Sequence, residues 1–326
     1  MKRILELDGL RGLAILAVFF HHALHLKLLW MGVDLFFVLS GFLITGVLLS
    51  MKDKPMHQYF SHFYGRRARR LLPAYALILI LASLLFGISW MRHWYLYLGL
   101  MNLLEPLRIS RPQAFDPLWS LAVEEQFYLV WPFIVYLLSE KQIARVAMAL
   151  VVLAPVLRGV VHLPNPWGVY MLTPFRMDLL AMGSLLALAY RHAKPLLVRY
   201  GFRIGAALVG LGLGVLFALS RAGQATYANT RVGNVLIFEG SLVVVTGMMV
   251  WALGGGFSRW LRWPPLRYIG QISYSMYLVH LGILVLLSRW LHSFQLAVAG
   301  LAAAVVFASV SWYGLEKPVL HYKINL

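Results

Sequence analysis

Ten apolar stretches, each about as long as a bilayer is thick, run almost end to end through this sequence, at 13–29, 33–49, 71–89, 119–138, 143–161, 172–190, 203–220, 235–253, 270–288 and 295–314. A helix needs about 20 mostly apolar residues to cross a bilayer. In hydrocarbon every backbone N–H and C=O must be satisfied within the chain, which favours helices. The expected fold is therefore all-α: a polytopic membrane protein with about ten transmembrane helices, in a single domain over 1–326 with no appended soluble domain. Composition agrees, since 61% of residues are apolar or aromatic and 13% charged, against roughly 45–50% and 25% in soluble domains. There is no cysteine, which excludes disulfides, thiolate metal sites and a Cys nucleophile. Met1-Lys2-Arg3 is basic, but an acidic, glycine-containing stretch separates it from the first apolar run. No small-residue cleavage site follows, so the first helix is expected to be retained.

The formal charge of +17 raises nucleic acid as a partner, but the placement of the charges argues against it. With a cytoplasmic N-terminus, Lys2, Arg3, Arg11, Lys52, Lys54, Arg66, Arg67, Arg69, Arg70, Lys141, Arg145, Arg191, Lys194, Arg199, Arg203, Arg259, Arg262, Arg267, Lys317 and Lys323 all fall on the cytoplasmic side. This is the positive-inside bias of multi-pass membrane proteins. An even number of spans returns the C-terminus to the same side. The expected location is the plasma membrane, in bacterial terms the cytoplasmic or inner membrane, with lipid rather than nucleic acid as the partner. Trp30, Trp90, Trp94, Tyr95, Trp119 and Trp167 read as interfacial anchors at helix ends. In the longest connection, 90–118, an aromatic amphipathic piece from Met91 to Leu104 suits the outer interface. Glu105-Pro106, Arg111-Pro112 and Asp116-Pro117 then read as irregular backbone. Gly254-Gly255-Gly256 reads as an inner loop.

Ionisable groups within spans are costly and often functional. Five carboxylates qualify, Asp34, Glu124, Glu125, Asp178 and Glu239, and all fall toward the outer halves of their helices. They either pair with Arg158, Arg176 or Arg231, or share a polar cavity that opens outward. In the first helix Arg11 and His22 lie eleven residues apart. That spacing returns to within about 20° of one face, about 16 Å along the axis. The pair could line one channel from a cytoplasmic anion site to a mid-membrane base, since neutral imidazole is a natural general base near neutral pH. His21 points away and is expected to pack, and His25 to bond a neighbouring helix. Arg66, Arg67, Arg69 and Arg70 suit bidentate phosphate binding or, equally, anionic lipid. Glu125 and Tyr128 lie one turn apart, with Pro132 free to kink their helix. Ser273, Tyr277 and His280 form a stripe that suits either a site or ordinary interhelical bonding. His21 and His25 lie four apart, but spacing places no third ligand, so no metal is expected.

LDGLRGLAILAVFFHHA (7–23), GVDLFFVLSGFLIT (32–45), FYGRRARRLLPAY (63–75), LWSLAVEEQFYLVWP (118–132), FRMDLLAMGSLLA (175–187), ISYSMYLVH (272–280) and EKP (316–318) together resemble the acyltransferase-3 family of integral membrane acyltransferases. The resemblance implies a ten-helix domain that uses acyl-CoA, usually acetyl-CoA, as donor. It implies a surface or exported saccharide, or a related hydroxyl compound, as acceptor. It matches Arg11 and His22 to the family's basic residue and essential histidine, the four arginines to CoA phosphate binding, and Glu124 and Glu125 to its acidic pair.

The expected reaction has the thioester reaching toward His22, which deprotonates the acceptor hydroxyl or carries the acyl group itself. Glu124, Glu125 or Asp178 would orient His22 or bind acceptor, and Asp34, Asp178, Tyr128, Tyr277 and His280 are the candidate acceptor-binding residues. Transfer would be direct or through a separate extracytoplasmic transferase. Two alternatives are a secondary transporter, which also needs mid-membrane ionisable groups, and a non-catalytic component of a polysaccharide assembly complex.

Overall fold

The computed structural model describes residues 3–161, 163–165, 167–223 and 230–321; of the basic residues named above, Lys2 and Lys323 lie outside these. Among the described residues the chain is helical with no strand. Helix α1, Leu5–Leu24, begins eight residues before the apolar run, because Glu6 and Asp8 suit a helix N-terminus and Glu6 also takes the Arg262 guanidinium at 2.6 Å. It ends at His25, which adopts a left-handed φ of 55°. His25 is exposed and terminates the helix, rather than bonding a neighbour as expected. Helix α2 covers Met31–Met51. Helix α3, Met56–Phe86, starts well ahead of its apolar run, so the arginine cluster lies on continuous helix. The 90–118 connection forms short 3-10 turns, Ser89–Tyr97 and Met101–Leu103, in place of one amphipathic helix.

Next come α4, Leu118–Leu137, and α5, Glu140–Val160, which opens on a Ser139/Gln142 capping box. A short α6, Trp167–Met171, follows, and then α7, Met177–Arg221. Helix α8 is Arg231–Leu253. Helices α9, Pro264–Gln271, and α10, Ser273–Leu287, meet at 75°. Helix α11, Ser293–Ser311, passes through a π-helical turn into α12, Lys317–His321. Seven of the described helices are long and apolar enough to cross a membrane, eight if α9–α10 is one bent span.

Helix α7 fuses two of the expected spans, and its contacts show that it doubles back. A straight helix would carry Gly212 about 51 Å from Asp178. Yet Gly212 packs on Gly240 and Val244 of α8, and the adjacent Glu239 shares Arg158 with Asp178. The reversal falls at Ala193, whose backbone is non-helical, two residues before Pro195. Beyond it Gly201 meets Gly254 and Gly205 meets Gly247, an antiparallel pairing with α8.

Small residues let backbones touch. A Cβ on Gly41 would lie 2.0 Å from the Leu180 carbonyl oxygen, and one on Gly270 would lie 1.8 Å from that of Asp8. Around the first contact, α2, α5, α7 and α8 are joined by buried charge. Arg176 pairs with Asp34, which also accepts from Ser241 Oγ at 2.6 Å. Arg158 donates to Asp178 at 2.6 Å, Glu239 at 2.5 Å and the Phe175 carbonyl at 2.5 Å.

Candidate active site

Three cavities follow one another along α1. The first, about 1030 Å³, lies at the N-terminal end of the helix and is lined by Leu7, Asp8, Arg11 and Arg70. The second, about 650 Å³, shares Arg11, Leu43 and Arg70 with it and adds Arg67, Ser40, Glu124, Tyr128, Ser273 and Tyr277. The third, about 930 Å³, lies at the far end around His21 and His22, and shares Val33 and Tyr277 with the second. Arg11 and His22 thus sit on opposite sides of the Tyr277 junction. Tyr277 is fixed there by hydrogen bonds to Ser120 Oγ (2.6 Å) and, as donor, to the Pro117 carbonyl (3.0 Å).

The middle cavity is electrostatically lopsided. Arg11 comes from α1, and Arg67 and Arg70 from α3; their only acidic companion in the lining is Glu124. Glu124 already accepts from Ser40 Oγ and Tyr128 OH, each at 2.7 Å. Among the described residues, no carboxylate lies within 4.0 Å of the Arg11, Arg67 or Arg70 guanidinium. Arg11 donates to Ser273 Oγ at 3.2 Å, and Arg67 lies over the Tyr128 ring, 5.4 Å from its centroid. Buried cations without counter-charges are expensive, so the cavity is suited to a multiply charged anion. Helical periodicity splits the arginine cluster. Arg67 and Arg70, three apart, face the cavity, whereas Arg66 is exposed against His62 and Arg69 Nε donates to the Gly65 carbonyl.

His22 Nδ1 lies 2.9 Å from the Val18 carbonyl oxygen, and His280 Nδ1 2.6 Å from that of Tyr277. A carbonyl only accepts, so in each neutral ring Nδ1 carries the proton. His280 Nε2 then faces the His22 Nδ1–H at 3.3 Å, and His22 Nε2 keeps a free lone pair on a ring that lines the far cavity. His280 is buried and backs His22, and lines none of these three cavities, although an acceptor-binding role was expected of it. His21 lines the far cavity beside His22, rather than packing away from it.

Of the other expected residues, Tyr128 and Tyr277 reach the cavities. Asp34 and Asp178 do not: both are buried in the ion-paired seam between α2, α5, α7 and α8, the structural alternative for these acids. Glu125 turns away from its neighbour Glu124, toward Gly99. Sequence reasoning missed Ser40, the partner of Glu124, and the far-cavity residues Glu105, Arg111, Asp116 and Tyr170. A signal was present in the charges clustered beside prolines in the 90–118 connection. Trp30 and Trp119, expected as interfacial anchors, are buried in the far-cavity wall.

The acyltransferase domain profile, Acyl_transf_3, matches residues 4–315. The chain belongs to the acyltransferase-3 family. It is 29% identical to the peptidoglycan O-acetyltransferase OatA of Listeria monocytogenes, over 98% of this chain and 56% of that protein. It is 30% identical to YrhL of Bacillus subtilis, over 96% of this chain and 54% of that protein. It is 27% identical to the O-acetyltransferase OatA of Staphylococcus aureus, over 96% of this chain and 56% of that one. The chain therefore spans about half the length of the curated relatives it matches. No solved structure matches it significantly.

Proposed function

We propose that this chain is a membrane O-acyltransferase of the plasma membrane, moving an acetyl group from cytoplasmic acetyl-CoA to a hydroxyl of a saccharide on the opposite face. The observation that carries this reading is the joined pair of cavities, with uncompensated guanidinia in one and a bare imidazole nitrogen in the next. The names of the relatives, all O-acetyltransferases and two of them, OatA of Listeria and the putative enzyme YrhL, peptidoglycan O-acetyltransferases, support the acetyl group and the saccharide acceptor. The distribution of Lys and Arg supports a cytoplasmic N-terminus, which puts the arginine-lined mouth on the side where CoA is found.

In this reading Arg11, Arg67 and Arg70 hold the phosphates of the donor by charge-assisted hydrogen bonds, and the acyl end points toward Tyr277. The thioester meets His22 where the two cavities adjoin, beside Val33 and Tyr277. The acceptor O–H proton passes to His22 Nε2 as the hydroxyl oxygen bonds the thioester carbonyl carbon. The C–S bond breaks, and the CoA thiolate recovers the proton from His22. While His22 is an imidazolium, its Nδ1–H is shared between the Val18 carbonyl and His280 Nε2, which steadies the charge. Because the acceptor cavity adjoins His22, direct transfer is favoured over hand-off to a separate extracytoplasmic transferase.

The test is donor binding. Protein in nanodiscs should bind CoA, and Arg67→Gln with Arg70→Gln should weaken that binding at least tenfold while Arg66→Gln leaves it unchanged. Equal binding by all variants would remove the arginine-lined cavity as the donor site.

A further inference from the structure

We infer that the far cavity is an acceptor subsite that selects an uncharged pyranose ring, with Trp167 as its stacking face, backed by Tyr170, and a Glu105–Arg111–Asp116 triad as a polar rim. The inference rests on the acyltransferase reading and adds the class of sugar. A pyranose has flat faces of C–H bonds and an edge of hydroxyls, so it calls for aromatic surface beside fixed hydrogen-bonding groups.

The far cavity supplies both. Tyr170 sits at the centre of an aromatic wall, with ring centroids 4.8 Å from Trp119, 6.0 Å from Trp167 and 6.1 Å from Trp30. Trp30 and Trp119 are buried and brace the wall, while Trp167 is its exposed member. In the same lining, Arg111 holds Glu105 and Asp116, each at 2.8 Å. Wall and rim are tied together. The Asn165 side chain donates to the Glu105 carbonyl at 2.8 Å and accepts from the Trp167 N–H at 3.0 Å.

Charge decides which sugar fits. Two carboxylates surround one guanidinium, and among the described residues His21 and His22 are the other basic side chains in the lining. A uronic acid brings a further carboxylate, and among the described residues of the lining the one guanidinium is already held by two carboxylates; like charges at short range in a partly desolvated site repel. The cavity is thus the opposite of the donor cavity, where cations predominate.

The test uses the full chain in nanodiscs without donor, with saturation-transfer NMR reporting the neutral oligosaccharide chitotriose against trigalacturonate. Wild type should bind chitotriose at least tenfold more tightly. Trp167→Ala should weaken it by about tenfold, the scale of a lost aromatic contact. Glu105→Gln with Asp116→Asn should narrow the preference by admitting the uronate. CoA binding by each variant reports folding and is read separately, so loss of the donor reading and loss of the saccharide subsite are distinguishable. Equal binding of the two saccharides by wild type would overturn the proposal. So would undiminished chitotriose binding by Trp167→Ala, or no saccharide binding by a wild type that binds CoA.

Discussion

Replacing Asp34 with alanine separates a structural acid from a substrate-binding one. Asp34 is fully buried, pairs with Arg176 and accepts from Ser241 at 2.6 Å. Removing it leaves the Arg176 guanidinium buried, with Nε and one Nη already lacking partners and only the rings of Phe238, Tyr170 and Phe37 around it. A cation–π contact is worth up to about 2 kcal/mol when desolvated, and an abandoned buried charge costs about 3–5 kcal/mol. The ring contacts are present before and after the change and cancel, so the net loss is about 3–5 kcal/mol from the abandoned charge, with about 1 kcal/mol more for the Ser241 hydrogen bond. Thermal unfolding in detergent should register this as a clear fall in Tm for Asp34→Ala. The double variant Asp34→Leu/Arg176→Met removes both charges and should recover most of the loss, because well-packed apolar replacements of a buried pair are often neutral. If Asp34→Ala unfolds like wild type yet loses saccharide binding, the structural assignment is refuted.

Other expectations follow from the same geometry. His280→Phe should lower kcat by about tenfold to a hundredfold with little change in KM, as loss of a group that orients the base; a purely KM effect would place His280 on the substrate. Gly41→Leu should prevent stable folding, because even its Cβ would overlap the Leu180 carbonyl, and normal yield and Tm would contradict the helix contact. Asp116 lies outside the spans, and burial raises its carboxyl above the ordinary range against the opposing pull of Arg111 and with the help of Glu105. It therefore takes up a proton earlier than a free aspartate as pH falls, with Glu105, Arg111, His21 and His22 the other acidic and basic side chains among the described residues of the lining. Uronate binding should strengthen from neutral toward mildly acid pH, and Asp116→Asn should flatten that rise; a flat profile in wild type would contradict it.

The all-helical, many-span character was legible because hydrocarbon imposes a length and an apolar requirement on each helix. Their true starts in α1 and α3 were not, since Leu5–Gly12 and the Arg66–Arg70 turn are helical by local propensity and tertiary contact rather than by hydropathy. The reversal of α7 at Ala193 was foreseen as two spans, though with a longer connection than the structure shows. Arg11, His22 and Glu124 were legible as ionisable groups within apolar sequence. The split of the arginine cluster follows from helical spacing, but which pair faces inward depends on how α3 packs. Asp34 and Asp178 look identical in sequence to acids in a cavity, and only the positions of Arg176 and Arg158 tell them apart. The far cavity was least legible, because irregular backbone gathers its residues without any periodicity.

The most direct measurement of the central claim is thioester cleavage: free CoA released from acetyl-CoA by purified protein in nanodiscs with chitotriose, for wild type and His22→Ala. The account predicts release with acetylated saccharide in wild type and a loss of at least a hundredfold in a His22→Ala protein that still binds CoA. Undiminished release by that variant, or substrate movement across the membrane with no CoA consumed, would contradict it.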